Sequence, residues 1–273
     1  MTAFDARGLI GELTVTLDVD VLVGAYADRD GPPGDPGSVL GTLAGHGIRA
    51  GAVASLRAAL FDMETGNDEV LGLSGDHRAV PAGTGDQTVA PAGSGDQAVA
   101  PAGSGDARVV PVGTVDLRDP LGAVREIERL VPLGVRAIRL FPDEQGVEAG
   151  FPSVRHVARR AAALGLTVLT GGDVRRFWEP FAGRGAKVVF LDTHFYHLGD
   201  FLVVAADEPG FHTSTRLLNS PDALETVPPD RLLYGSRTPH YEPLVPLLRL
   251  ATSGLKPEEI AAVAGGNARR LLG

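Results

Sequence analysis

The sequence predicts an α/β fold, a (β/α)8 TIM barrel forming a single domain over residues 1–273. Three observations predict it. Strand-like and helix-like patterns alternate until eight strands have been passed, which is the order of a parallel barrel. Several strand segments are apolar almost throughout, as in Val188-Val189-Phe190-Leu191 and Leu232-Leu233-Tyr234. Such runs suit parallel strands covered on the outside by helices. The third observation is length: without three surplus copies of an internal repeat, about 243 residues remain, near the roughly 250 typical of one barrel. A doubly wound sheet is the competing fold. It would need a glycine-rich phosphate loop after the first strand, and Asp18-Val19-Asp20-Val21 is not one.

The elements follow from periodicity and caps. Residues 13–20 read as the first strand, 38–46 as a helix, 49–56 as the second strand and 67–73 as a short helix. The third strand covers 109–117. The helix over 121–133 sets Val124, Ile127, Leu130 and Val131 on one face, and Gly134 ends it. Strand four is 135–141, followed by a helix over 153–164 with Ser153 as its N-cap. Strand five (166–170) precedes a helix over 174–182, and strand six (186–191) a helix over 198–206. Strand seven (211–217) leads to a short helix at 221–227. Strand eight is 231–235, and helices over 242–253 and 257–272 close the chain.

A ten-residue repeat interrupts this order before the third strand. GDHRAVPAGT, GDQTVAPAGS, GDQAVAPAGS and GDARVVPVGT follow one another from Gly75. Only the last carries an apolar run, Val109-Val110-Pro111-Val112. The Gly/Pro-rich segment 75–104 therefore reads as a flexible insertion that loops out of the domain. Gly-Asp repeats can bind calcium. Here the period is ten rather than nine and each unit offers one Asp, so a passive insertion is the better reading.

Composition excludes several functions. No cysteine is present, which removes disulfide scaffolds, thiolate metal sites and cysteine nucleophiles. The net charge of −9 argues against a nucleic-acid partner, which wants a basic surface. Lys187 and Lys256 are the only lysines, so arginine supplies nearly all of the positive charge. No apolar run is long enough for a membrane span and no leader pattern opens the chain. A soluble cytoplasmic protein is the default expectation.

Barrel chemistry sits at the C-terminal ends of the strands. Strand one offers Asp18 and Asp20; strand four offers Arg139, followed by Asp143 and Glu144. Strand five ends in Thr170-Gly171-Gly172-Asp173, and strand six runs into Asp192-Thr193-His194-Phe195-Tyr196-His197. Strand seven carries His212 and Arg216, and strand eight is followed by Arg237 and His240. His194, Asp192 and His240 are the candidate acid–base groups. Arg139, Arg237, Arg216 and Asp20 are the candidate substrate-binding groups. Guanidinium pairs bidentately with carboxylates, so the expected partner is a small anionic molecule. Arg139 and Arg237 could instead pair structurally with Asp18 or Asp20, and both readings stay open.

At these residues the sequence resembles the amidohydrolase superfamily, in its amidohydrolase-2 branch of metal-dependent decarboxylases and lactone hydrolases. The stretch 17–24, Leu-Asp-Val-Asp-Val-Leu-Val-Gly, looks like that family's first-strand Ile-Asp-x-His-x-His-x-Gly. Arg231-Leu-Leu-Tyr-Gly-Ser-Arg-Thr-Pro239 looks like its strand-eight Arg-Leu-Leu-Phe-Gly-Ser-Asp-x-Pro. Residues 134–140 resemble its strand four, and 266–272 its closing helix. The resemblance implies a barrel enzyme, dimeric in many members, with a divalent metal at the mouth. The metal ligands are degenerate, however. Asp20 and Leu22 stand at the two first-strand histidine positions, Arg237 stands at the strand-eight aspartate, and strand five offers only Thr170 or Gly171.

No cofactor is therefore expected, and no metal-ligand set is assigned. A zinc or manganese site relocated to His194, His197, His212 and His240 is the minority alternative. Three functions follow. The first is a metal-independent enzyme that hydrolyses, isomerises or decarboxylates a small carboxylated or lactone-type substrate. The second is a catalytically inactive homologue that binds a ligand, forms a homo-oligomer or pairs with an active amidohydrolase. The third is a metal hydrolase with the relocated histidine site.

Overall fold

Strand alternation sorts the side chains of this chain onto two faces, and the two faces become two cores. The structure, a computed structural model, describes residues 8, 10, 11, 13–75 and 107–273. Its strands are β1 (Asp18–Val23), β2 (Ala50–Ser55), β3 (Arg108–Pro111), β4 (Gly113–Thr114), β5 (Ala137–Leu140), β6 (Thr167–Thr170), β7 (Lys187–Phe190), β8 (Phe211–Ser214) and β9 (Leu232–Leu233). They pair in the orders β1-β2-β3 and β4-β5-β6-β7-β8-β9, all in parallel. β3 and β4 are two pieces of the third barrel strand, separated by Val112.

Two seams close the ring. The Val112 N–H donates to the Val53 carbonyl at 3.0 Å, tying the two sheets together beside β2. Opposite, the Val19 N–H donates to Tyr234 (3.0 Å) and the Leu22 N–H to Thr238 (2.8 Å). The expected barrel is therefore the observed one. Among the described residues, no helix is long and apolar enough to cross a membrane.

The inner face holds Leu22, Ala52, Val112, Phe141, Leu169, Val189, Leu191 and Leu233 in one buried cluster. Their neighbours in sequence, such as Ile138, Leu140, Val168, Val188 and Phe190, join Leu43, Ile127, Val157 and Phe201 of the helices in a second. That is the period-two pattern of strands buried on both faces. Ala268 and Leu272 of the helix Asn267–Leu272 belong to the inner cluster. Thr167, the first residue of β6, donates from Oγ1 to the Leu271 carbonyl at 2.9 Å. The last helix thus plugs the N-terminal end of the barrel and leaves the C-terminal mouth for chemistry.

Several local expectations are corrected. The first strand begins at Asp18 rather than residue 13 and continues through Val21-Leu22-Val23. A register shift between Asp18 and Val21 marks a bulge within it. The helix expected from residue 67 starts at Met63, where Asp62 accepts the Thr65 N–H at 3.1 Å. Ser55 caps a further short helix, Leu56–Leu60, that was not foreseen. Ser153 is not an N-cap; the helix Pro152–Ala163 starts on its own proline, without a side-chain cap. The helix expected over 174–182 stops at Phe177, and Pro180 then disfavours helical backbone at Glu179. The closing helix kinks at Gly265, with φ +140°. A Cβ there would stand 2.2 Å from Thr16 Oγ1. The repeat segment 75–104 lies, apart from Gly75, outside the described residues. The last copy of the repeat, which follows that segment, does enter the barrel, as β3.

Candidate active site

The first strand brings two carboxylates into the barrel, and their environments separate them. Asp18 and Asp20 are both fully buried. Asp20 Oδ1 accepts from Arg139 Nη1 of β5, and its Oδ2 lies 3.5 Å from Arg216 Nε. Burial alone would raise the Asp20 pKa, but Arg139, Arg216 and Arg237 outweigh it and hold the carboxyl below its usual range. Asp18 has no cation. Its Oδ1 accepts the N–H groups of Asp20 (2.9 Å) and Ser236 (3.1 Å), and its Oδ2 accepts Ser236 Oγ at 2.5 Å. Burial dominates, and the Asp18 pKa is pushed up to about 7.

That shift has a sign that can be measured. A carboxyl whose folded pKa is raised makes the folded state bind more protons, so stability falls as pH rises between the unfolded and folded values. For Asp18 the window runs from about 4 to about 7. Asp18→Asn is expected to flatten the loss of Tm across that window. A slope unchanged from the parent protein would show that Asp18 does not titrate there.

Above this buried layer the mouth opens into a cavity of about 520 Å³. Arg216, Arg237, Asp192, His194, Asp173 and Asp143 line it, together with Tyr196, His197 and Tyr241. Arg216 follows β8 and donates from Nη2 to Asp192 Oδ1, while its guanidinium lies over the Tyr241 ring, 4.6 Å from the centroid. Arg237 follows β9 and reaches Asp192 (3.3 Å), Glu144 (2.6 Å) and the Tyr26 hydroxyl (3.0 Å). Asp192 also accepts the Gly172 N–H at 3.0 Å. Arg139, Asp20, Arg216, Asp192, Arg237 and Glu144 therefore form one continuous chain of alternating charge.

The structure places the expected residues in two groups. Asp192, His194, Arg216 and Arg237 meet in the cavity. Arg139 (1% exposed) and Asp20 (0%) do not line it; they form a buried pair behind Arg216. His240 lines a neighbouring hollow with Pro33, Thr42 and Glu242. Its ring meets Tyr26 edge-on at 4.9 Å. Burial, then Arg237 and Arg29, lower its pKa and favour the neutral ring.

His194 lies on the cavity wall with its ring held locally. Its Nδ1 accepts the Tyr196 N–H at 3.3 Å. In the neutral ring the proton then sits on Nε2, so His194 offers the cavity a donor. It stacks on Tyr196, with centroids 5.0 Å apart. His212 was grouped with the mouth histidines but is the second residue of β8, far back along the strand from Arg216. Its Nδ1 bonds to the Gly210 carbonyl at 2.9 Å, and burial lowers its pKa.

Sequence reasoning missed Tyr26 and Tyr241. Both lie in segments that follow barrel strands, and that position was the available signal. Asp143 lines the wall, and burial and the neighbouring Glu144 raise its pKa.

The metal implied by the family resemblance does not fit these residues. Asp20 is engaged by guanidinium groups, Leu22 lies in the inner apolar cluster and offers no lone pair, and Arg237 puts a cation at the strand-eight position. Among the described residues, no three His, Asp or Glu side chains are arranged to hold an ion.

No protein-family model matches the sequence, and no curated protein matches it. Solved structures do match in fold. A dihydroxybenzoic acid decarboxylase from Polaromonas sp. JS666, with bound manganese, superposes with a TM-score of 0.65 at 12% identity, covering 95% of this chain and 97% of that one. The 5-carboxyvanillate decarboxylase of Sphingomonas paucimobilis gives 0.61 at 15% identity, covering 95% and 99%. A putative 2-pyrone-4,6-dicarboxylic acid hydrolase from Pseudomonas putida gives 0.58 at 17% identity, covering 93% and 99%. Over nearly its whole length, this chain has the TIM-barrel fold shared with these decarboxylases and this hydrolase.

Proposed function

We propose that this chain is a hydrolase or lyase acting on a small carboxylated or lactone-type substrate, and that it works without a metal. The observation that carries the reading is the pair Arg216 and Arg237 on the cavity wall. Two guanidinium groups converge on Asp192 at the mouth of the barrel, where the resemblance would place a cation-binding centre. Arg216 hydrogen-bonds through Nη2 while its Nε faces Asp20, and Arg237 hydrogen-bonds through Nη1 and Nη2, so Nη1 of Arg216 and Nε of Arg237 are the donors proposed to meet a ligand.

The residues then divide the work. Arg216 and Arg237 bind anionic oxygens and stabilise negative charge that develops on the substrate. The His194 Nε2–H donates to a carbonyl or leaving oxygen. Asp143 stands on the same wall, and burial and the neighbouring Glu144 raise its pKa. Tyr196, Tyr241 and His197 give the walls flat faces suited to a planar substrate. The three decarboxylase and hydrolase neighbours, whose names specify carboxylated compounds, support this class of substrate.

Benzoate is a simple probe of the site. It is expected to raise Tm and to bind with Kd of about 1 mM, near −4 kcal/mol, and treatment with a chelator should leave both unchanged. If no member of a panel of small mono- and dicarboxylates shifts Tm, the anion-site reading fails. The non-catalytic alternative is then favoured, because the mouth arginines would serve only to neutralise Asp20, Asp192 and Glu144.

A further inference from the structure

We propose that Asp18 is the positioning residue of the mouth, holding Asp20 and Arg237 in place by supplying the acceptors that the irregular seam of the barrel lacks. The observation is a paired irregularity at the seam between the first and last barrel strands. β1 bulges between Asp18 and Val21. The facing chain also leaves the ladder: its hydrogen bonds to β1 run from Tyr234 directly to Thr238. Two backbone N–H groups, those of Asp20 and Ser236, thereby lose the carbonyl partners that a regular ladder would give them. A buried N–H without an acceptor is costly. Asp18 Oδ1 accepts both, at 2.9 and 3.1 Å.

The second carboxylate oxygen completes the device. Asp18 Oδ2 accepts Ser236 Oγ at 2.5 Å, and Ser236 Oγ accepts the Thr238 N–H at 3.1 Å. Thr238 Oγ1 lies 2.6 Å from the same hydroxyl. Arg237 is thus gripped on both sides, and it is the residue that needs it. Among the described residues other than glycine, it alone has a positive φ, +62°. An arginine in that region is held only where its surroundings over-determine it. The left-handed turn is what aims its side chain at Glu144 and Asp192 rather than along the strand.

An acid suits the task because every neighbour it meets is a donor. Asp18, Ser236 and Thr238 are fully buried and line none of the cavities described above. Asp18 touches no reacting group in this arrangement; it acts through the two residues it places. Its effect on a ligand rests on the anion-site reading above, but its effect on Arg237 does not.

The test uses Ser236→Ala, which removes one arm of the grip, and Asp18→Asn, which keeps an acceptor for both N–H groups and can still bond to Ser236 Oγ. Crystal structures of both variants and benzoate titrations are compared with the parent protein. In Ser236→Ala, Arg237 is expected to leave its positive φ and its contact with Glu144, and benzoate affinity to fall about tenfold. Asp18→Asn, which keeps the Oδ1 acceptor, is expected to hold Arg237 in its positive φ and on Glu144. The proposal is overturned if Arg237 stays on Glu144 in Ser236→Ala, whatever the affinity does. It is also overturned if Arg237 moves as far in Asp18→Asn as in Ser236→Ala. If benzoate fails to bind even the parent protein, the anion-site reading falls, and the position of Arg237 in the two variants still decides this proposal.

Discussion

Arg139→Leu is expected to destabilise the protein by about 3–5 kcal/mol, because it strands a buried carboxylate. Asp20 is fully buried, and Arg139 is its direct hydrogen-bonding partner. Arg216 remains within 3.5 Å of Asp20 Oδ2, which should keep the cost toward the lower end. For a barrel of this size the loss corresponds to a fall in Tm of roughly 10 °C. Adding Asp20→Leu removes the stranded charge, and the double variant should recover much of the loss, since a buried ion pair is often replaceable by apolar side chains. Urea unfolding of the two single variants and the double one measures the coupling. A cost below about 1 kcal/mol for Arg139→Leu would mean that water reaches Asp20, contrary to the burial described.

The second large effect concerns ligand rather than stability. Arg237→Ala is expected to weaken benzoate binding by about a hundredfold, nearly 3 kcal/mol, as expected when one member of a buried charge pair is removed from a binding site. Its fold should survive better than that of Arg139→Leu, because Arg237 is partly exposed and Asp192 keeps Arg216 and the Gly172 N–H. Arg237→Lys should not rescue affinity, since an ammonium cannot span Glu144, Tyr26 and Asp192 as the planar fork does. Calorimetric titration decides the matter, and unchanged affinity in Arg237→Ala would remove that residue from the site.

Most of the barrel was legible because its strands are short apolar runs between helices with clear periodicity. What was not legible depended on partners distant in sequence. The first strand was placed too early because Asp18 and Asp20 look like a polar strand end. They sit within the strand because Ser236, Arg139 and Arg216 satisfy them from across the barrel. The choice between a substrate clamp and a structural pair was open for Arg139 and Arg237. Long-range geometry separates their positions: Arg139 lies buried against Asp20, while Arg216 and Arg237 line the cavity and also pair with Asp192. His240 follows the last strand as expected, yet its ring turns toward Tyr26, a contact that no local pattern encodes. His194 and Asp192 were found because strand-end position alone brings them to the mouth.

We propose that guanidinium groups, rather than a metal ion, organise the mouth of this barrel. This is tested most directly by the electron density at that mouth in crystals grown with benzoate and an equimolar mixture of zinc and manganese. The expected result is a carboxylate held by Arg216 and Arg237 beside Asp192, with no anomalous peak within the cavity. A metal peak coordinated by Asp192, His194 or Asp20, with the arginines displaced, would contradict it.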